Sequence, residues 1–259
     1  MYQKKRLSQI FLHDHNIIQK MCRKAGDLSK IQVVEVGCGK GILSHALAQR
    51  AKSLDIVEVD ETWLKATQEK LQDFNTVSFH HCSILDSTVW QALPARFQMI
   101  ANIPYHLTSD LLERLVLNKH KCTKAIIMIQ KEVAEKWVAK VGEKLYMAQS
   151  LFCQYHFEAK ILFEVPKTCF YPQPKIDSAV IELVPKQSSL SADAERNLFK
   201  VIKSGFWGRR KTLKSCLMRS PYLELHKDHL TKLEKDARLS QRAETLSMQD
   251  FKQISDLLF

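Results

Sequence analysis

Acidic residues are scarce in this sequence. Against 39 Lys and Arg stand only 28 Asp and Glu, a formal net charge of +11. The imbalance favours an acidic partner, of which nucleic acid is the simplest. No C-x-x-C pair occurs among the 7 cysteines, and their number is odd. That argues against a disulfide framework and against a metal site, and it predicts a reducing, cytoplasmic setting. No apolar run approaches the ~18 residues that a membrane span needs. No apolar stretch follows the charged opening M-Y-Q-K-K-R-L-S-Q, so neither a secretory signal nor a membrane partner is expected. Glycine is rare too, with 7 in the chain, yet three of them crowd between positions 37 and 41.

Hydrophobic residues fill 45% of the 259 positions, enough for one sizeable core and a smaller appended unit. Short apolar, β-branched runs recur at 31–37, 54–60, 77–81, 97–102 and 125–130. Apolar residues at helical spacing fill the gaps, most clearly from Gly41 to Ala51 and from Thr62 to Phe74. The alternation predicts an α/β fold, with βαβ units around a parallel sheet covered on both faces. Helices are predicted near 131–140 and 146–156, and strands at 161–165 and 179–184 would close the sheet as an antiparallel edge. After Pro185 the texture changes. K-Q-S-S-L-S-A-D-A reads as a linker and a helix start capped by Ser191 or Asp193, and only helical patterns follow. The expected domains are therefore 1–185 and 186–259.

The crowded glycines lie in V-V-E-V-G-C-G-K-G, where Gly37, Gly39 and Gly41 are spaced two apart behind a predicted strand. The spacing differs from the dinucleotide G-x-G-x-x-G, and the absence of G-K-[ST] excludes a P-loop. Glycines at a strand-to-helix turn allow a tight bend and let a ligand lie on the backbone. Glu35, two residues earlier, is placed to meet a positive amino group. The next strand ends in V-E-V-D, and its Glu58 lies 21 residues beyond Gly37, a spacing suited to a ribose diol. An E-x-G-x-G-x-G loop followed by such an acid is the usual signature of S-adenosylmethionine enzymes. That cofactor carries an amine and a ribose but no phosphate, which explains acids where a nucleotide site would show Lys or Arg.

A second motif stands at 102–105. The apolar run Met99-Ile100-Ala101 leads into Asn102-Ile103-Pro104-Tyr105, and proline, lacking a backbone donor, ends the strand there. An amide and a phenol are thereby left at the carboxyl edge, where open α/β sheets bind their ligands. The exocyclic amine of adenine is a poor nucleophile because its lone pair is delocalised into the ring. The Asn102 side-chain oxygen and the Ile103 carbonyl can accept its two N–H groups and aim the lone pair at a methyl donor. Tyr105 would stack on the base, offsetting part of its unstacking cost.

Taken together these motifs resemble those of the KsgA-type ribosomal RNA adenine dimethyltransferases, relatives of the Erm macrolide-resistance methyltransferases. The resemblance runs through K-K-R-L-S-Q-I-F-L-H-D (4–14), E-V-G-C-G-K-G (35–41), N-I-P-Y (102–105), Q-K-E-V-A (130–134) and C-F-Y-P-Q-P-K-I-D-S-A-V (169–180). In the tail, S-G-F-W-G-R-R-K-T-L-K-S (204–215) and R-A-E-T-L-S (242–247) are similar to blocks of the KsgA type. The resemblance implies a Rossmann-like class I S-adenosylmethionine methyltransferase sheet with a small C-terminal helical rRNA-binding domain. It implies N6,N6-dimethylation of two adjacent adenosines near the 3′ end of small-subunit (16S) rRNA. It also implies that Phe170 stacks opposite Tyr105, and that Gln9, Leu12, Gly37, Glu58 and Asn102 contact the cofactor. Arg209, Arg210, Lys211 and Lys214 would neutralise rRNA phosphates, with Lys4, Lys5, Arg6 and Lys175 as further RNA-binding candidates. A monomer acting on the small ribosomal subunit is the default expectation.

Some positions depart from the family pattern. Isoleucine at 103 leans towards the Erm group, which modifies a large-subunit (23S) adenosine, whereas the tail favours the KsgA type. Ile10 stands where the family has asparagine, and His106, where asparagine is common, either contacts RNA or fills a polar niche, the niche being favoured. Ser83, in H-C-S-I-L-D, stands where an aspartate usually accepts the cofactor's adenine amine; Ser83 itself, or Asp86 in a shifted loop, would have to replace it. Weaker cofactor binding is expected, since charge-assisted hydrogen bonds are the stronger class. A ribosome-assembly binding factor with weakened catalysis is the alternative from another class. Methylation of protein glutamine or DNA adenine goes with N-P-P-Y or D-P-P-Y and is disfavoured by Ile103.

Overall fold

The computed structural model describes residues 10–208, 210–224, 233 and 236–259. Gln9, Lys4, Lys5, Arg6 and Arg209 therefore lie outside the described residues. The chain divides into two compact units, one of residues 1–134 and 158–185, the other of 135–157 and 186–259.

The first unit begins with β1 (Phe11–Leu12) and α1 (His15–Ala25), whose N-terminus is capped by the Asp14 carboxylate accepting from Asn16 N–H at 2.8 Å. Strands and helices then alternate: β2 (Gln32–Val36), α2 (Ile42–Ala48), β3 (Ser53–Glu58), α3 (Glu61–Lys70) and β4 (Val77–His81). There follow α4 (Val89–Ala92), β5 (Phe97–Asn102), α5 (Thr108–Leu117), β6 (Cys122–Gln130) and α6 (Lys131–Val138). After α7 (Ala148–His156) come β7 (Phe157–Val165), β8 (Phe170–Tyr171) and β9 (Ser178–Pro185).

Seven strands form one sheet in the order β4-β3-β2-β5-β6-β9-β7. The pairs β3/β4, β2/β3, β2/β5 and β5/β6 are parallel, and β6/β9 is antiparallel. Central β6 runs Ala125-Ile126-Ile127-Met128-Ile129, all buried, as a strand covered on both faces must. Edge strand β4 carries no fully buried residue. The order places the switch point between β2 and β5: the chain leaves β2 towards β3 and β4, then crosses to β5 on the other side. Ligands of open α/β sheets bind in the crevice at that point.

The second unit has its own core. Tyr146, Leu151, Leu198, Leu213 and Phe251 join α7 to α8 (Ala192–Gly205), α9 (Leu213–Arg219) and α10 (Met248–Leu258). Ser191 rather than Asp193 caps α8, its hydroxyl accepting from Ala194 N–H at 3.3 Å. Residues 135–157, which a boundary at Pro185 assigns to the first domain, group with this unit because Ala139, Tyr146 and Leu151 are buried in its core. Among the described residues no helix is long and apolar enough to cross a membrane.

Candidate active site

The glycine turn after β2 is built from left-handed residues. Gly37, Gly39 and Gly41 have φ of 76°, 48° and 75°, a region that costs side-chain-bearing residues about 1–2 kcal/mol each. Gly37 N–H donates to Val57 O at 2.9 Å, which ties the turn to β3. Glu58, the last residue of β3, is buried and reaches back across the turn. Its Oε1 accepts from Asp60 N–H at 2.8 Å and its Oε2 from Gly39 N–H at 3.3 Å. A carboxylate has about four lone-pair sites, so two backbone bonds orient Glu58 and leave acceptor capacity for a diol.

Glu35 is deeply buried in the same wall, and its Oε2 has no hydrogen-bond partner among the described residues. Burial raises its pKa to about 8; neighbouring Ser44 opposes the shift and the Glu58 charge adds to it. An uncommitted buried acceptor suits a ligand that brings its own positive donor. Beside it, burial also pushes the Cys38 thiol up, so that group stays protonated.

Across the switch point, β5 ends at Asn102, as the proline requires. The loop and this turn abut: a Cβ on Gly37 would lie 3.8 Å from Asn102 O and from Pro104 Cδ. Ile103 is buried, and its N–H donates to Met128 O at 3.1 Å, anchoring the turn to β6. Tyr105 is half-buried, with its phenol 2.9 Å from the hydroxyl of Ser178, the first residue of β9. Burial raises the phenol's pKa, the Ser178 hydrogen bond opposes this, and the Asp177 charge adds to it.

One cavity gathers Leu12, Glu35, Gly37 to Lys40, Glu58, Ser83, Asn102 to Leu107 and Phe170, while Gly41 lies outside its lining. Phe170 is buried yet lines it, held by the antiparallel pairing of β1 with β8 that sets Leu12 opposite Phe170 and Phe11 opposite Tyr171. Ser83 lies in the wall, its Oγ accepting from Leu85 N–H at 3.2 Å. Asp86, by contrast, is exposed outside the cavity lining, and its carboxylate accepts from Thr88 N–H and Oγ1 at 2.9 Å. Ile10 packs against the core and lines the cavity. His106 is a correction: it is exposed at the cavity and fills no polar niche. Lys175 is exposed outside the lining, and Arg210, Lys211 and Lys214 are exposed in the second unit.

Three contributors escape the motifs. The Phe11 ring covers the glycine turn, since a Cβ on Gly39 would meet it at 3.1 Å. Trp63 flanks Phe11 with ring centroids 4.9 Å apart, and Ser178 holds Tyr105. Phe11 and Ser178 lie within the quoted blocks without being singled out. Trp63, at the start of α3, carries no local signal.

A family model described as Ribosomal RNA adenine dimethylase matches residues 2–258. The chain belongs to that family. Among the relatives of this dimethylase, the "Ribosomal RNA small subunit methyltransferase A" of Bacillus licheniformis is 34% identical over 98% of this chain and 91% of its own. The protein of the same name from Streptococcus pneumoniae is also 34% identical over 98% and 91%. Among solved structures, a dimethyladenosine transferase from Plasmodium falciparum superposes with a TM-score of 0.81 at 23% identity, covering 94% of this chain and 95% of that one. The 23S rRNA methyltransferase ErmE superposes at 0.69 and 23% identity, covering 95% and 99%. These two likenesses establish the fold: a mostly parallel, methyltransferase-type α/β sheet with appended helices.

Proposed function

We propose that this dimethylase transfers methyl groups from S-adenosylmethionine to N6 of two adjacent adenosines near the 3′ end of 16S rRNA, during small-subunit assembly in the cytoplasm. The observation that carries the reading is the meeting of Asn102 and Tyr105 with the glycine turn in one cavity at the switch point. The full-length relatives named for the small subunit support that substrate over the large-subunit one.

The donor set fits the cofactor. Glu35 would receive its amine, Glu58 its ribose diol and Ser83 its adenine amine, in a cavity that Phe11, Leu12 and the glycine turn also line. When bound, the cofactor would supply an electrophilic methyl group, carried on a sulfonium sulfur that can keep the C–S bonding pair. Asn102 Oδ1 and the Ile103 carbonyl accept the two N6–H groups of the target and turn its lone pair out of conjugation. The proton is lost to solvent only after N6 has become cationic, so no strong base is required, consistent with a neutral Tyr105. Tyr105 and Phe170 sandwich the base, each stack contributing ~1–3 kcal/mol. Lys175, Arg210, Lys211 and Lys214 bind phosphates, and Lys4, Lys5, Arg6 and Arg209 extend the same reading. The protein acts as a monomer.

Labelled S-adenosylmethionine offered with undermethylated small subunits, and separately with large-subunit rRNA, tests this. Dimethyladenosine in the small subunit alone is expected, and label in the large-subunit RNA would overturn it. Asn102→Ala should lower transfer by about 10²–10³-fold while leaving subunit binding intact. Subunit binding without any transfer by the unaltered protein would favour the assembly-factor alternative.

A further inference from the structure

Between Glu195 and Glu224 the sequence holds eight Lys and Arg and no acid. At the centre of that span the chain turns tightly at the end of α8. Gly205 has no room for a side chain, because a Cβ would lie 2.9 Å from Leu213 Cδ1 and 3.1 Å from Phe251 Cε1. Phe206 faces inward, its ring 5.9 Å from those of Phe251 and Tyr146. Trp207 faces out and is 52% exposed. Its backbone N–H donates to Ser204 O at 3.1 Å. The next carbonyl, of Gly208, accepts from Lys211 N–H at 2.9 Å and from the Cys216 thiol at 3.4 Å. The indole is thus presented on a pinned turn.

The residues that follow it in the chain are strongly charged. Arg210, Lys211 and Lys214 are exposed, and among the described residues no acid pairs with any of them. The Lys211 stem lies against Gly208, where a Cβ would come within 3.0 Å of its Cγ. Exposed Tyr222 has Lys203 Nζ 4.0 Å over its ring, whereas no cation covers Trp207 among the described residues. The buried core of a protein–protein interface is depleted in charged residues, lysine among them. An exposed ring close in sequence to cations that have no acid partner among the described residues is instead the pattern that binds single-stranded nucleic acid, where bases stack and phosphates take the charge.

We propose that Trp207 is a stacking platform for an unpaired rRNA base, with Arg210, Lys211 and Lys214 holding the neighbouring phosphates. The inference rests on the rRNA reading above and adds a base contact to its phosphate contacts.

The full chain is titrated with a short single-stranded RNA, with the same strand in duplex form, and with protein-free 16S rRNA, over a range of salt. Of the 4 tryptophans, Trp90 and Trp137 are buried and Trp63 is half-buried, so quenching by RNA reports chiefly on Trp207. Trp207→Leu should lose the quenching and weaken single-strand binding about 10-fold, with the salt slope unchanged and duplex binding little affected. Trp207→Phe should recover most of the affinity, and Lys214→Ala should lower the salt slope by about one instead. Because the ring is largely exposed, Trp207→Leu should melt with the unaltered protein. Unchanged single-strand binding by Trp207→Leu would overturn the proposal, as would an equal loss on duplex. Weaker binding to small subunits alone, with naked rRNA unaffected, would assign the contact to ribosomal protein and overturn it too. Methyl transfer by the unaltered protein is scored separately: quenching without transfer to 16S rRNA would sink the methylation reading and leave this one standing.

Discussion

Tyr105 and Ser178, 73 residues apart, are joined hydroxyl to hydroxyl at 2.9 Å. The bond fixes the aromatic ring at the carboxyl end of β5 to the first residue of β9, a strand antiparallel to β6. Ser178 is fully buried, so the ring is held by a group that does not itself move with solvent.

Ser178→Ala should therefore leave the cofactor's Kd unchanged and lower methyl transfer about 10-fold, mainly in kcat, by freeing the ring that receives the base. Tyr105→Phe removes the same bond from the other side. In a double-mutant cycle the two losses should fail to add; fully additive losses would show that the bond does not position the ring.

Glu35 makes stability depend on pH in the ligand-free protein. Its folded pKa of about 8 lies above the ordinary carboxyl value, so the folded state binds the extra proton. Stability is fully present below the unfolded pKa and is lost as pH rises through that of the folded state. Melting temperature should fall between about pH 4.5 and 8 and then flatten. Glu35→Gln should remove that slope while weakening cofactor binding; a parallel slope in the variant would refute the assignment.

Gly39→Ala combines a left-handed backbone with a Cβ 3.1 Å from the Phe11 ring. A loss of about 1–3 kcal/mol is expected in denaturant melts. Calorimetric titration should show weaker cofactor binding, because Phe11 must shift off the turn. Gly142→Ala, also at positive φ but with nothing near its Cβ, supplies the strain-only control.

Ser83→Asp should tighten cofactor binding about 10-fold, since an ionised acceptor makes the stronger hydrogen bond to an amine. Aspartate can also keep the bond to Leu85 N–H, as short acceptors at such turns do. Ser83→Ala should weaken binding. If neither variant moves the Kd, the adenine amine is held elsewhere.

Much of this architecture is legible locally. The five principal strands are expected within a few residues of where they lie, because short apolar runs between helically spaced segments mark them, and Gly37 and Pro104 punctuate the ends of β2 and β5. Asn102 at a strand end and Glu58 two positions before the Asp60 cap follow from the same punctuation. Helix α1 carries a readable cap and an apolar face of Ile18, Met21, Cys22 and Ala25, yet lies outside the helices expected from the motifs. The two-residue strands β1 and β8 have no periodicity to read; each exists only because the other is beside it. The grouping of 135–157 with the tail depends likewise on which core Tyr146 and Leu151 enter.

The sequence by itself determined the turn chemistry, the alternation of strand and helix, and the acids, amide and phenol that stand at strand ends. Those features arise from backbone sterics and side-chain period within a few residues of each position. Only the tertiary structure decided that Phe11 covers Gly39, that Ser178 holds Tyr105, that Asp86 stays outside the cavity, and that Glu35 is buried with an uncommitted oxygen. Each of these is set by which surfaces meet after strands distant in sequence have paired, and burial and proximity of that kind have no local signature.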